Sequence, residues 1–274
     1  MKNELDPIPL KDVSEDSLCP IESGEPVKVD LDETVEVPNI SRNLLPGGVY
    51  KTSSCRSQFD VAIVICYRNR TSQLNMFLRH MHPYLQRQNL DYRIIVVEQT
   101  FSMPFNRAKL FNVGFTEALK LHPYPCFIFH DVDLLPQHSG NVYACTKQPR
   151  HMSSCLDTFR YNLPYKDLFG GAIAISSKQF EMINGYNNDF YGWGGEDDDF
   201  YNRIEKYGLR VERFHPDVSK YTMIAHNKET PSPERFQRLK EGLASMKVNG
   251  LNSLKYTVLS TQLKPLYTHI LVDL

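Results

Sequence analysis

Three short runs of apolar, mostly β-branched residues limit what this chain can fold into. They are Asp60-Val-Ala-Ile-Val-Ile-Cys66-Tyr67, Tyr92 to Val97, and Cys126-Phe-Ile-Phe-His130. Each is apolar on both alternating faces, as in a strand covered from both sides in a parallel sheet. Between the first two runs, Leu74, Phe77, Leu78, Met81 and Leu85 recur at helical spacing. Between the second and third, residues 106–121 form another helix, with Leu110, Val113, Gly114 and Ala118 inward. Strand, helix, strand, helix, strand at this spacing requires right-handed crossovers and an open, mainly parallel α/β sheet flanked by helices. Ligands of such sheets bind beyond the carboxyl ends of the strands. Arg68, Asn69 and Arg70 follow the first run, and Asp131-Val132-Asp133 closes the third. Though far apart in sequence, the two groups can face one site.

Further elements follow in order. Leu168 to Ser176 reads as a glycine-started strand and Lys178 to Asn184 as a short helix. A helix runs through an acidic stretch to about Tyr207, and Met223-Ile-Ala-His226 ends a strand. Residues 227–235, with Pro231 and Pro233, read as a mobile loop. Phe236 to Met246 reads as a helix and Tyr267 to Asp273 as a last strand. Residues 1–50 show no sustained period; they read as an extended lead-in that wraps the domain, ending in the turn signal Leu45-Pro46-Gly47-Gly48. Residues 51–274 then form one catalytic-sized domain, as the length of 274 residues allows.

The net charge of −1 makes no electrostatic case for nucleic acid or an anionic membrane. None of the six cysteines forms CxxC, so a zinc ribbon is unsupported, while one or two bridges in a secretory-pathway protein are compatible. Asn39-Ile-Ser41 and Asn69-Arg-Thr71 are glycosylation sequons. No apolar run is long enough to span a bilayer and no signal peptide opens the chain. The polar start fits either a native terminus or a chain from which an anchor has been removed.

The chemistry concentrates in Tyr191-Gly-Trp-Gly-Gly-Glu196-Asp-Asp-Asp-Phe200, which holds the only tryptophan. Acids at a helix start interact favourably with its dipole, but four in a row repel one another and raise at least one pKa. The run is either a solvated turn or a place where a cation or a reaction uses the charge. The glycines permit close backbone approach, and Trp193 offers a flat face to a sugar or base. On an extended strand end, Asp131 and Asp133 point the same way, suiting a hard divalent ion with a phosphate ligand; such a pair also occurs in ordinary surface turns. Met223-x-x-His226 can complete a metal shell, or be a core methionine and a surface histidine. Arg68, Arg70 and Arg107 match diphosphate geometry, or serve surface ion pairs. No GxxxxGK[ST] or GxGxxG motif is present, which removes P-loop and dinucleotide-dehydrogenase readings.

Seven blocks resemble the β-1,4-galactosyltransferase family (glycosyltransferase family 7). They are Phe105-Asn106-Arg107-Ala-Lys109, Asp131-Val132-Asp133, Phe169-Gly-Gly171, Trp193 to Asp199, Met223-x-x-His226, Arg235-Phe236 and Gly250 to Leu254. The resemblance runs from about Cys19 to the C-terminus. It implies a GT-A type nucleotide-diphospho-sugar transferase fold in a type II Golgi enzyme facing the lumen, with an anchor outside this sequence. It implies inverting transfer from a UDP-sugar to the 4-hydroxyl of a GlcNAc-terminated glycan. Asp133, Met223 and His226 are the implied Mn²⁺ ligands. Cys66, Arg68, Arg70, Phe105, Asn106, Arg107, Asp131, Val132, Leu168 and Trp193 are implied on the donor side. Gly194, Gly195, Glu196, Asp197, Arg235 and Phe236 are implied on the acceptor side. Asp197 is the implied catalytic base, although spacing alone would allow Glu196. Cys19–Cys55 and Cys126–Cys145 fall where the family has disulfides, leaving Cys66 and Cys155 free.

Two departures matter. Galactosyl-transferring members carry Tyr before the Phe-Gly-Gly block, where this chain has Leu168. Leucine removes a hydroxyl and leaves an apolar gap able to take an N-acetyl methyl. One such contact is worth a few kcal/mol of discrimination. The preferred donor is therefore expected to be UDP-GalNAc, as in the invertebrate β-1,4-N-acetylgalactosaminyltransferase branch, with UDP-Gal as the alternative. Cys66 stands where the family often has Pro at the strand end. Two rival readings of the whole site are a metal-dependent phosphohydrolase and a non-catalytic sugar-binding module.

Overall fold

The computed structural model describes residues 5–6, 17–21, 24–32, 44–226 and 229–274. The sequon at Asn39, part of the expected lead-in and the start of the expected loop at 227 lie outside the described residues. The elements in order are β1 (Val49–Tyr50), β2 (Asp60–Tyr67), α1 (Thr71–Gln86), β3 (Asp91–Gln99), α2 (Arg107–Leu121), β4 (Cys126–Asp131), β5 (Leu134–Pro136), β6 (Arg150–His151) and β7 (Cys155–Leu156). Then come β8 (Ala172–Ser176), α3 (Ser177–Met182), α4 (Glu196–Lys206), β9 (Lys220–Met223), α5 (Arg235–Ser245), β10 (Thr257–Leu263) and β11 (Thr268–Asp273).

Among the described residues, the main sheet runs β10-β11-β3-β2-β4-β8-β6, with β1 added on β3. Its centre, from β11 through β3 and β2 to β4, is parallel. The outer members β10, β8 and β6 are antiparallel to their neighbours. The GT-A fold expected from the resemblance is therefore a mixed sheet with a parallel core. Strand β2 explains the arrangement. Val61, Ile63, Ile65 and Tyr67 enter one core with Phe77, Leu78, Met81 and Leu85 of α1, while Ala62, Val64 and Cys66 enter the other with Leu110, Phe111 and Val113 of α2. Gly114 lets α2 lie close on the sheet, because a Cβ there would stand 2.2 Å from Val64 Cγ1.

A second, smaller sheet, β5-β9-β7, is absent from the sequence expectations. Strand β5 leaves the end of β4 through Val132 and Asp133, so that turn joins the two sheets. Asp131 is the last residue of β4, and the extended strand end assumed to align Asp131 with Asp133 is instead a turn. Leu5 is buried in the core and bridges Thr146, while Pro26 bridges His138, so described parts of the lead-in lie against the domain. Cys19–Cys55 and Cys126–Cys145 form disulfides, and Cys66 and Cys155 are free and buried. Among the described residues no helix is long and apolar enough to cross a membrane.

Candidate active site

The carboxyl end of β4, the start of α2 and the start of α4 converge on one guanidinium. Arg107, the first residue of α2, places Nε 2.6 Å from Asp131 Oδ1 and Nη1 2.7 Å from Asp197 Oδ1. Glu196 Oε1 lies 3.7 Å from the same Nη1, and the guanidinium rests 4.7 Å from the Phe111 ring centroid. Asn106 caps α2 by accepting from Lys109 N, and its amide donates to Asn188 O. That side chain is fully buried and committed to the helix start.

The acidic run at the start of α4 resolves into separate environments. Gly195 sits before the helix at φ +92°, a conformation that favours glycine. Glu196 and Asp197 turn to Arg107, Asp198 accepts from the Tyr165 hydroxyl at 2.9 Å, and Asp199 pairs with buried Arg203 at 2.9 Å. Two arginines thus relieve most of the repulsion that the sequence suggested. Burial and the neighbouring Asp197 charge push the Glu196 carboxyl up to about 7. Burial and, beyond the opposing pull of Arg107, the Asp131 charge raise Asp197 to about 6. The Glu196 side chain is 10% exposed and that of Asp197 25%, so Asp197 is the more accessible acid. It also lies against the backbone of Gly170, where a Cβ would stand 2.1 Å from Asp197 Oδ2. Leu168, half-buried two residues earlier, has its carbonyl held by Arg213 at 2.8 Å.

Asp133 forms a second focus. Its Oδ2 is 2.8 Å from His226 Nδ1 and 3.8 Å from Arg70 Nη1. Met223 pairs with Leu134 across β5 and β9, Ile224 N donates to the Asp133 carbonyl at 2.7 Å, and the Met223 sulfur is 3.8 Å from the Thr158 hydroxyl. Met223 is half-buried at the rim of the core. Asp133 and His226 offer a carboxylate oxygen and an imidazole nitrogen that suit Mn²⁺, and Met223, paired with Leu134 next to Asp133, carries a thioether, a softer donor. A cation would take the place of the proton shared by Asp133 and His226. The residues present fit such an ion.

Arg68 lies 5.1 Å and 5.3 Å from the Phe105 and Phe101 ring centroids and pairs with Glu229 at 3.7 Å. Cys66 is buried, its thiol donating to the Arg107 carbonyl at 3.3 Å, and Val132 is buried. Asn69 is exposed between the two arginines at φ +50°. Trp193, 56% exposed, is strapped to the segment after His226: its N–H donates to Thr230 O, and Ser232 N–H donates to its carbonyl. A Cβ on Gly194 would meet Arg235 Cδ at 2.8 Å, and the Arg235 guanidinium lies 4.4 Å from the ring centroid of Phe236, which is 64% exposed. The structure thus brings Arg107, Asp131, Glu196 and Asp197 together, and Asp133, His226 and Arg70 together; it commits Asn106 to the helix start and holds Arg68, Trp193, Arg235 and Phe236 in the other contacts just given. Sequence reasoning missed Tyr165, Gly170 as the neighbour of Asp197, and Glu229; none carries a spacing signal.

Two carboxylates share an arginine beyond the carboxyl end of β4, an Asp–His pair stands at the following turn, and the mixed sheet with a parallel centre beneath them is that of the GT-A glycosyltransferases. The comparisons narrow this. The N-terminal region of glycosyl transferase group 7 matches residues 19–146, and the N-terminal domain of galactosyltransferase matches residues 150–227. Beta-1,4-galactosyltransferase 1 of Homo sapiens is 45% identical over 265 residues, covering 93% of this chain and 67% of that protein. Its Mus musculus counterpart is 44% identical, covering 93% of this chain and 66% of that protein. The catalytic domain of Drosophila beta1,4galactosyltransferase 7 in complex with xylobiose is 29% identical, with TM-score 0.68, covering 79% of this chain and 94% of that one. A mutant of that enzyme, in complex with manganese, UDP-Gal and xylobiose, is 27% identical with TM-score 0.69, covering the same shares. The chain belongs to the β-1,4-galactosyltransferase family, and it spans about two thirds of the length of the curated relatives it matches.

Proposed function

We propose that this chain is an inverting, Mn²⁺-dependent glycosyltransferase that moves GalNAc from UDP-GalNAc to the 4-hydroxyl of a terminal GlcNAc. The observation that carries the reading is Asp197, held with Asp131 by Arg107 and lying against Gly170, two residues beyond Leu168, while the Asp133–His226 pair follows two residues after Asp131. Asp197 takes the proton from the attacking hydroxyl, with Arg107 fixing its orientation. Glu196, more buried, shapes the field around it. Arg68 and Arg70 meet the diphosphate. Mn²⁺ held by Asp133, Met223 and His226 would neutralise charge on the departing UDP. Trp193 and the segment after His226 close over the donor and exclude water, and Arg235 with Phe236 receives the N-acetyl group of the acceptor. Two disulfides and the family membership suit the Golgi lumen, reached through an anchor outside this sequence.

UDP-Gal is the second reading, favoured by the names of the relatives. Radiolabelled UDP-GalNAc and UDP-Gal, each with GlcNAc and with Mn²⁺ or EDTA, separate the two. Wild type should turn over UDP-GalNAc faster, and Leu168→Tyr should shift the ratio toward UDP-Gal by roughly tenfold or more. An unchanged ratio would remove the GalNAc assignment. Hydrolysis that GlcNAc does not stimulate would favour a phosphohydrolase, and no product at all would favour a sugar-binding module.

A further inference from the structure

Behind the cation site lies a buried chain of side-chain hydrogen bonds joining the two sheets. His130 Nδ1 is 2.7 Å from the Asp131 carbonyl and its Nε2 is 2.8 Å from the Tyr143 hydroxyl. Tyr143 Oη is 3.0 Å from Tyr221 Oη, which lies 3.2 Å from Asn141 Nδ2. All four side chains are fully buried.

The direction of every bond follows from its ends. A carbonyl only accepts, so His130 Nδ1 carries the proton and Nε2 must accept from Tyr143. The Tyr143 oxygen therefore accepts from Tyr221. The Asn141 amide orientation is fixed independently, because Nδ2 also donates to Met152 O and Oδ1 faces Arg150 Nη1 at 3.4 Å. Tyr221 thus receives from Asn141 and gives to Tyr143. Only one arrangement of protons satisfies the whole row.

The row spans the corner that carries the ligands. His130 belongs to β4 in the main sheet, and Tyr221 to β9 in the small one, two residues before Met223. Asp133 is in the turn between those sheets. The β5–β9 ladder and the Ile224 N–H bond to the Asp133 carbonyl hold the Asp133 turn from one side, and the row ties β9 back to the end of β4 on the other side of that turn. We propose that Tyr143, with His130 and Tyr221, is a positioning group that fixes the orientation of the Asp133 turn and so the aim of its carboxylate at His226. This rests on the Mn²⁺ reading above.

The test compares Tyr143→Phe and Tyr221→Phe with Tyr84→Phe. Tyr84 is as buried and packs edge-on against the Tyr143 ring at 5.4 Å, but its hydroxyl donates to the backbone carbonyls of Asn141 and His138 and to no side chain of the row. Free Mn²⁺ is titrated by electron paramagnetic resonance with saturating UDP, and the thermal midpoint is read in EDTA. Tyr143→Phe should weaken Mn²⁺ binding about tenfold, and Tyr221→Phe should weaken it in the same direction. Tyr84→Phe should lower the midpoint comparably yet hold Mn²⁺ within about twofold of wild type. Wild-type Mn²⁺ affinity in both row variants, or equal weakening in Tyr84→Phe, would overturn the proposal. Should Tyr143→Phe not fold, Tyr221→Phe decides alone. A wild-type chain that binds no Mn²⁺ would overturn the parent reading, and this one with it.

Discussion

Arg107 shows how one side chain turns a repulsive acidic run into a usable group. Without it, buried Glu196 and half-buried Asp197 and Asp131 would be three acids competing to stay neutral. With it, Asp197 is oriented yet still titrates near 6, where a base is useful at neutral pH. The working form is the anion. Turnover should therefore fall as pH drops through about 6 and level off above it, the limb belonging to the Glu196–Asp197 pair as a unit. Asp197→Asn should lower kcat by about a hundredfold or more while the donor dissociation constant changes little, measured by steady-state kinetics and UDP-sugar titration. Normal kcat with weakened donor binding would move the base elsewhere. The sequence displayed these acids openly but not their partners: Arg107 is 89 and 90 positions from Glu196 and Asp197, by subtraction, and nothing in its spacing announces the pairing.

Among elements, legibility followed burial. Strands β2, β3 and β4 and helices α1 and α2 were readable because their faces are committed to two cores, which imposes period on sequence. Strand β10 was not: it lies at the sheet edge with residues exposed on both faces, so no alternation records it. Strands β5 and β7 are too short to carry a period; of the second sheet only β9 was foreshadowed, by a strand expected to run to His226 that ends at Met223, and the turn at Asp133 was invisible. The helix α4 was placed well because its glycine start and apolar Phe200 and Ile204 sit at helical spacing. Close packing of α2 gives an element-scale test. Gly114→Ala drives a methyl toward Val64 and Val97, two stiff side chains in the sheet, and should destabilise by about 1–3 kcal/mol. A lowered urea midpoint at constant slope would show this; an unmoved midpoint would mean the helix has slack.

For the molecule as a whole, the parallel centre brings strand ends together and the antiparallel flanks extend the sheet, so the proposed site residues come from segments scattered between residues 66 and 236. The Cys126–Cys145 bridge acts at this scale. It closes a stretch holding His130, Asp131, Asp133 and Tyr143, and its two cysteines are 19 positions apart. Replacing both with Ala should cost about 3 kcal/mol, seen by calorimetry as a lower unfolding temperature. An unshifted temperature would mean that packing alone holds the stretch. Since the same clasp encircles the aspartate corner and part of the row bracing it, loss of the clasp should loosen the working groups before the scaffold melts. Oxidation of these two cysteines would then finish the aspartate corner as well as fasten the chain around it.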